Sequence, residues 1–300
     1  MRYFFLFFFI FSIIATAFTE LYLQHIGLGN PIRYDSNYIY GFAPKENQKK
    51  QRFNKSIVSI NDVGLRSQIN WKDNKKNKIV FLGDSITYGG SYIDDKETFS
   101  YLVCQKSNKF ICGNAGVNAY SIINIVMRSR YDYRFNDSQK FVFLVAPGDF
   151  YREYVSANSL HFYLNKKKFL FPAITEAINF VSIKYDLNNY ISKFDDTNKV
   201  NQNKKDLIDF SIKLFHEEIK RLQNENKEVF LFYTIEKLDK KSMKPINRYI
   251  LNKIENLNFE NFINLEEVLN NDTYFYDSVH YNSLGHKEVA KKISSIINID

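Results

Sequence analysis

The chain has 300 residues, of which 45% are hydrophobic and 17% aromatic, enough to bury a sizeable core, which excludes disorder as the default reading. Lysine and arginine number 41 against 33 aspartates and glutamates, a formal charge of +8. The lysines fall in scattered pairs (Lys49-Lys50, Lys75-Lys76, Lys204-Lys205, Lys240-Lys241, Lys291-Lys292) with no basic stripe, so nucleic acid is not an expected partner, whereas an anionic membrane or polysaccharide is compatible.

At the N-terminus Arg2 precedes an almost unbroken apolar run from Tyr3 to Phe18. Such a run has no polar side to show to water, and it is expected as a helix clear of the globular core. Residues 1–24 are read as a signal anchor or a signal peptide. The run is shorter than the roughly 20 residues of a full span, and Ala15-Thr16-Ala17 fits a cleavage site. Extension through Leu21, Tyr22 and Leu23 would lengthen it, with Glu20 as an interruption. Arg2 on the leading side favours a cytosolic N-terminus and an exported body, anchored at the cell membrane. In an oxidising compartment Cys104 and Cys112 are candidates for a disulfide, two reduced buried cysteines being the alternative.

Residues 25–76 are polar and irregular, with Gly27, Gly29, Pro31 and Pro44, and read as an extended segment wrapped on the domain or spacing it from the membrane. Residues 57–60 are a short candidate strand, followed by a turn at Asn61-Asp62 and Gly64. From residue 77 to 300 short apolar runs alternate with longer amphipathic ones, the pattern of βα units around a parallel sheet. Strands are expected at 78–82, 110–112, 141–146, 229–233 and 262–265, and helices at 97–106, 121–133, 205–224, 244–257 and 283–297. Residues 150–204 break the rhythm. That stretch is long for a connection and rich in aromatics (Tyr151, Tyr154, Phe162, Tyr163, Phe169, Phe171, Phe180, Tyr185), so it reads as a functional insertion.

The first expected parallel strand runs directly into Gly83-Asp84-Ser85-Ile86-Thr87. A serine there stands at the mouth of an open α/β sheet, where ligands bind, although an N-cap serine would look the same. Near the other end, Asp277-Ser278-Val279-His280 precedes the last helix. An aspartate three residues ahead of a histidine can orient the imidazole and stabilise its cation while the other ring nitrogen reaches a serine. No second His or Cys lies at ligand spacing, so neither a metal nor a cofactor is expected. His286, on the last helix, is expected to pack or cap.

These blocks resemble the SGNH/GDSL hydrolases, whose first block is Gly-Asp-Ser and whose last is Asp-x-x-His. The second block, a glycine after the second strand, is matched by Gly116 in Asn114-Ala115-Gly116-Val117-Asn118. Asn61-Asp62-Val63-Gly64-Leu65-Arg66 is similar to exported, membrane-anchored bacterial members associated with surface polysaccharide. The resemblance spans from about Asn61 to the C-terminus apart from the insertion. It implies a flavodoxin-like three-layer α/β/α fold with Ser85 as nucleophile, His280 as base and Asp277 as its orienting partner. The oxyanion would be held by the amides of Ser85 and Gly116. The third block departs: Gly-x-Asn-Asp in the family is Ala146-Pro147-Gly148-Asp149 here, so Gly148 stands where an asparagine donates to the oxyanion. Loss of one such donor costs about 100- to 1,000-fold in rate, and Asn118 or Asn114 is a candidate substitute. The expected function is a serine esterase removing acyl groups, acetyl above all, from envelope carbohydrate or a related ester. An acyltransferase to a sugar hydroxyl and a catalytically weakened binding or scaffold module are the alternatives.

Overall fold

The computed structural model describes residues 2–160, 163, 169–184, 202–237 and 243–299. Helix α1 (Arg2–His25) is continuous, and nearly all its side chains are exposed. An 18-residue window within Tyr3–His25 has a mean hydropathy of 2.1, so the helix is long and apolar enough to cross a membrane. It does not stop at the end of the apolar run. Glu20 is buried where the helix leaves the apolar stretch, and its carboxylate accepts hydrogen bonds from the amides of Ala173 and Ile174 at 2.9 and 3.0 Å.

The segment that follows is more regular than expected. Strand β1 (Tyr34–Asn37) pairs antiparallel with β2 (Gly41–Pro44), and β3 (Gln48–Gln51) with β4 (Ile57–Ile60). Only β4 was foreseeable: Gln48-Lys49-Lys50-Gln51 shows no apolar alternation, and its pairing is set by the turn at Asn54 and Lys55, whose φ angles are 55° and 61°. Phe42, Val58 and Ile60 are buried against the domain, so the segment is wrapped on it. In the next turn Asn61 Oδ1 accepts from the amides of Val63 and Leu65 at 3.1 and 3.0 Å.

Five strands form a parallel sheet: β5 (Asn77–Gly83), β6 (Phe110–Asn114), β7 (Lys140–Val145), β8 (Glu228–Tyr233) and β9 (Phe262–Asn264). Their order, β6-β5-β7-β8-β9, is that of a flavodoxin-like doubly wound sheet. Between them lie α2 (Ser85–Tyr88), α3 (Phe99–Cys104), α4 (Ile122–Tyr131), α5 (Pro147–Tyr151), α6 (Pro172–Lys184), α7 (Gln202–Asn224), α8 (Pro245–Glu255) and, after β9, α9 (Ser283–Ser294).

The three layers follow from period-two alternation on strands that are apolar on both faces. Val80, Leu82, Phe141, Phe143 and Leu231 face one side. There they meet α4, α8 and the apolar stripe Ile208, Ile212, Phe215 and Ile219 of α7. Ile79, Phe81, Val142, Leu144, Phe230 and Phe232 face the other side, against Phe99 and Val103 of α3 and Val289 and Ile293 of α9. Each expected strand is present within two residues of its expected bounds. The helix expected at 97–106 is instead a 3-10 turn, Asp95–Glu97, followed by α3, because the Thr98 side chain caps the Tyr101 amide and starts a new helix. Cys104 and Cys112 are disulfide-bonded, which removes the reduced alternative. Of the aromatic insertion, α5 and α6 are described, while Phe162 and Tyr185 lie outside the described residues.

Candidate active site

The end of β5 is tight. A Cβ on Gly83 would run into the Thr87 side chain and the Leu144 carbonyl, so only glycine lets the chain turn from strand into α2. Asp84 caps that turn through Oδ1, which accepts from the Ile86 amide at 2.8 Å, and Ser85 follows half-buried at the sheet's C-terminal edge. Arg66, from the Asn61-to-Arg66 stretch, holds the far side of the same turn. Its guanidinium donates to the carbonyls of Tyr88 and Gly90 at 2.8 and 2.6 Å and pairs with Asp95 at 2.9 Å. That stretch therefore positions the serine helix from below.

The loop before α9 brings the other two groups. It is closed by the Tyr276 amide donating to the His280 carbonyl at 2.8 Å, and it ends where the Asn282 side chain caps α9 at the amides of Leu284 and Gly285. His280 Nε2 lies 2.8 Å from Ser85 Oγ, and His280 Nδ1 lies 2.8 Å from Asp277 Oδ2. Asp277 Oδ1 accepts from the amides of Val279 and His280 at 2.9 and 2.8 Å, which fixes the carboxylate's rotation.

Burial works to raise the Asp277 pKa, but the hydrogen bonds from the His280 ring and the two amides outweigh it and hold the carboxyl down at about 2. Burial likewise works to lower the His280 pKa. The hydrogen bond to Asp277 and that residue's charge prevail, so its net shift is upward. An ionised Asp277 places the ring proton on Nδ1 and leaves Nε2 to accept the Ser85 hydroxyl proton.

The expected oxyanion donors are placed less simply. The Gly116 amide donates to Asn114 Oδ1 at 2.9 Å, and the Gly116 Cα presses on the backbone of Thr87 and Tyr88 so closely that a Cβ would not fit. Gly116 is thus a packing glycine whose donor is already spent. Asn114 is buried and donates to the Thr87 carbonyl at 2.6 Å and the Ser100 hydroxyl at 3.1 Å, so it is spent as well. Asn118 is exposed on the same loop. Beside it Ala119 is also exposed and takes a φ of 66°, a conformation uncommon for a residue with a Cβ.

At Gly148 the space is open: a Cβ would meet only Arg152 Nη2 at 3.6 Å and Tyr151 Oη at 3.8 Å. Arg152 occupies the region that an asparagine side chain would reach. Its Nη1 lies 3.8 Å from Asp84 Oδ2 and 3.3 Å from Asp149 Oδ1, and it donates to the Tyr120 carbonyl. Ser85 Oγ lies 3.5 Å from that same Asp84 oxygen, so the guanidinium and the serine share one neighbour. Asp149 is fully buried; burial first, then the Asp84 carboxylate beside it, push its pKa well above the usual range.

Sequence reading missed Arg152, and with it a tyrosine pair beside Asp277: Tyr92 and Tyr276 stack with ring centroids 3.8 Å apart and planes 11° off parallel. His286 packs and caps, as expected. It is buried against Phe99 and Tyr281, Nδ1 accepts from the Phe99 amide at 3.2 Å, and burial, with the charges of Arg66 and His280, drives its pKa down to about 3. Among the described residues no group of three or more His, Cys, Asp or Glu is placed to hold a metal ion.

No family model and no curated protein matches the chain. Solved structures do. A lipolytic protein of the G-D-S-L family from Desulfitobacterium hafniense is 12% identical, with a TM-score of 0.42, over 74% of this chain and 100% of that one. An acetyl xylan esterase, AlAXEase, is 19% identical, with a TM-score of 0.45, over 73% and 100%. A catalytic mutant of an acetylxylan esterase from Geobacillus stearothermophilus is 13% identical, with a TM-score of 0.47, over 75% and 95%.

Proposed function

We propose that this chain is a serine esterase of the SGNH/GDSL type, with Ser85 as nucleophile, His280 as general base and Asp277 as the group that orients and charges the base. The observation that carries the reading is the continuous line from Ser85 Oγ through the His280 ring to Asp277, with both contacts at 2.8 Å. His280 Nε2 takes the hydroxyl proton as Oγ attacks the ester carbonyl. The carbonyl π pair moves onto oxygen, and collapse of that oxyanion expels the alkoxide, which takes the proton back from Nε2. Water then repeats the sequence on the acyl-enzyme, releasing the acid and restoring Ser85.

The oxyanion needs donors: in this reading the Ser85 amide is one, and the Gly116 amide, held by the Asn114 side chain, is not free to be a second. Arg152, beside Gly148, takes the part of the missing asparagine. We assign the substrate to acylated carbohydrate, acetyl esters first. Tyr276 is 58% exposed and adjoins Asp277, and its ring, stiffened by the stack on Tyr92, offers a flat apolar face to the C–H side of a sugar. In this reading residues 1–24 anchor the protein, residues 25–76 brace the domain, and residues 77–300 catalyse outside the cytosol.

Gly148 is the one feature that favours a binding module over an enzyme. Fluorophosphonate labelling of the purified protein decides between the two. Wild type should label and hydrolyse an acetyl ester, Ser85→Ala should do neither, and absence of labelling in wild type would leave the binding module as the better reading.

A further inference from the structure

Helix α6 is amphipathic in an unusual direction. Its inner side is tied down: the Glu20 carboxylate caps its first amides, Ala173 is buried against Gly29, and Glu176 is buried. Glu176 accepts from the Gly29 amide at 2.6 Å and pairs with Arg52, whose Nη1 also donates to the Gly27 carbonyl at 2.7 Å. Phe180 meets Phe53 edge-on, with ring centroids 5.4 Å apart. The helix is therefore locked to the end of α1 and to the β3–β4 hairpin. Its outer side is apolar and exposed. Ile178 and Val181 are 60% and 48% exposed, and Leu170, just ahead of the helix, is 87% exposed.

We propose that this outer side of α6, with Leu170 and Phe171, is a second lipid contact that seats the domain on the bilayer surface. The proposal rests on the reading of α1 as a membrane helix. Lipid is the occupant because the surface is continuous with α1. At about 1.5 Å per residue the stretch from Tyr3 to Thr19 is about 25 Å long, close to the ~30 Å hydrocarbon layer. Glu20 then falls at the edge of that layer, and it is Glu20 that holds the start of α6, with Leu170 and Phe171 beside it. A helix at that level with one apolar face lies in the interface, its apolar side chains reaching about 5–10 Å in. The seat fixes the tilt of the domain, which a single flexible anchor would leave free.

The test uses the full chain in phosphatidylcholine–phosphatidylglycerol vesicles with acyl-brominated lipids, which quench tryptophan on contact. Trp71 is the only tryptophan and is 2% exposed, so wild type supplies the background. Leu170→Trp and Ile178→Trp replace exposed side chains, and Phe11→Trp reports on α1. All three should lose roughly half of the added emission, as befits rings about 5–10 Å deep or deeper, with Phe11→Trp favouring the more deeply brominated lipid. Quenching of Phe11→Trp without quenching of Leu170→Trp or Ile178→Trp would overturn the second contact and assign the face to a protein partner or a second copy. No quenching of Phe11→Trp would instead remove the membrane reading of α1, and the seat with it.

Discussion

Replacing Asp277 by asparagine tests the proposed relay most sharply, because the geometry dictates how the new side chain must sit. Oδ1 of Asp277 takes two backbone N–H groups, from Val279 and His280, and Oδ2 takes the His280 ring. In Asp277→Asn only the amide oxygen can serve the two backbone donors, so the NH2 faces His280 Nδ1. A donor there makes Nδ1 an acceptor and moves the ring proton to Nε2, where the base must be empty. The wrong tautomer in such a triad costs about 10⁴ in kcat, or about 5.5 kcal/mol of barrier. The pH profile moves too. His280 must be neutral to act, so the wild-type rate rises with pH through an inflection above 6.5, and removing the Asp277 charge leaves only Asp84 to oppose the lowering by burial and Arg152, which moves the inflection down. Rates on p-nitrophenyl acetate from pH 5 to 9, with Ser85→Ala as the floor, give both readouts. An Asp277→Asn protein within tenfold of wild type, or one with an unmoved inflection, would refute the assignment of the base.

Three further outcomes are expected. Arg152→Ala should lower kcat on an acetylated sugar about 100-fold if the guanidinium supplies an oxyanion donor. Gly148→Asn should recover part of that loss in the double variant, since a Cβ at 148 meets nothing closer than 3.6 Å; equal activity of Arg152→Ala and wild type would strike Arg152 from the site. His286 is held neutral in the fold down to about pH 3, against 6.5 unfolded, so between those values the unfolded chain carries the extra proton. Stability should therefore fall with decreasing pH by about 1.4 kcal/mol per unit from this group, and His286→Gln should flatten that limb of the urea-midpoint profile. The Cys104–Cys112 bridge closes a short loop, eight positions apart, and its reduction should cost about 2.5 kcal/mol in urea unfolding, where an unshifted midpoint would argue that the bridge is not formed.

What was legible in the sequence is what rests on local pattern. The β5–β9 sheet was readable because its strands are continuous apolar runs between turn residues, and the meeting of Ser85, Asp277 and His280 because two short blocks at either end of the domain resemble those of one hydrolase family. What was not legible depends on contacts distant in sequence. The β1–β2 and β3–β4 hairpins are paired by turns rather than by apolar alternation, and β3 reads as solvent. Glu20 looks like a flaw in the apolar run until its partners, about 150 positions away, are in view. The second block misleads in the same way, since Gly116 is needed for close packing under α2 and its amide is spent on Asn114. Arg152 had one sequence cue, a cation one helical turn beyond the aberrant Gly148.

In the proposed reading, glycine at 148 in place of the asparagine of the GDSL pattern is compatible with a working site, and the electrostatics around Arg152 support this. A guanidinium beside the serine brings a full charge, which would discourage His280 from accepting a proton; Arg152 does act to lower the His280 pKa. The offset comes from Asp84, which faces both Arg152 and the Ser85 hydroxyl and acts to raise the His280 pKa, while burial and that neighbouring carboxylate push the pKa of Asp149 upward. The cation is thus matched locally, and the upward shift of His280 is set chiefly by Asp277. Through Arg152 such a site trades a neutral amide donor for a charged one, and hydrogen bonds from a charged donor to a developing oxyanion are roughly twice as strong as neutral ones. Arg152 is also longer and 36% exposed, so more of its hold depends on the substrate closing the site above it. A bulky acylated sugar resting on Tyr276 would supply that closure, and a small ester would not. Activity that rises steeply with the size of the acylated sugar, and that rise abolished in Arg152→Ala, is the pattern this arrangement demands.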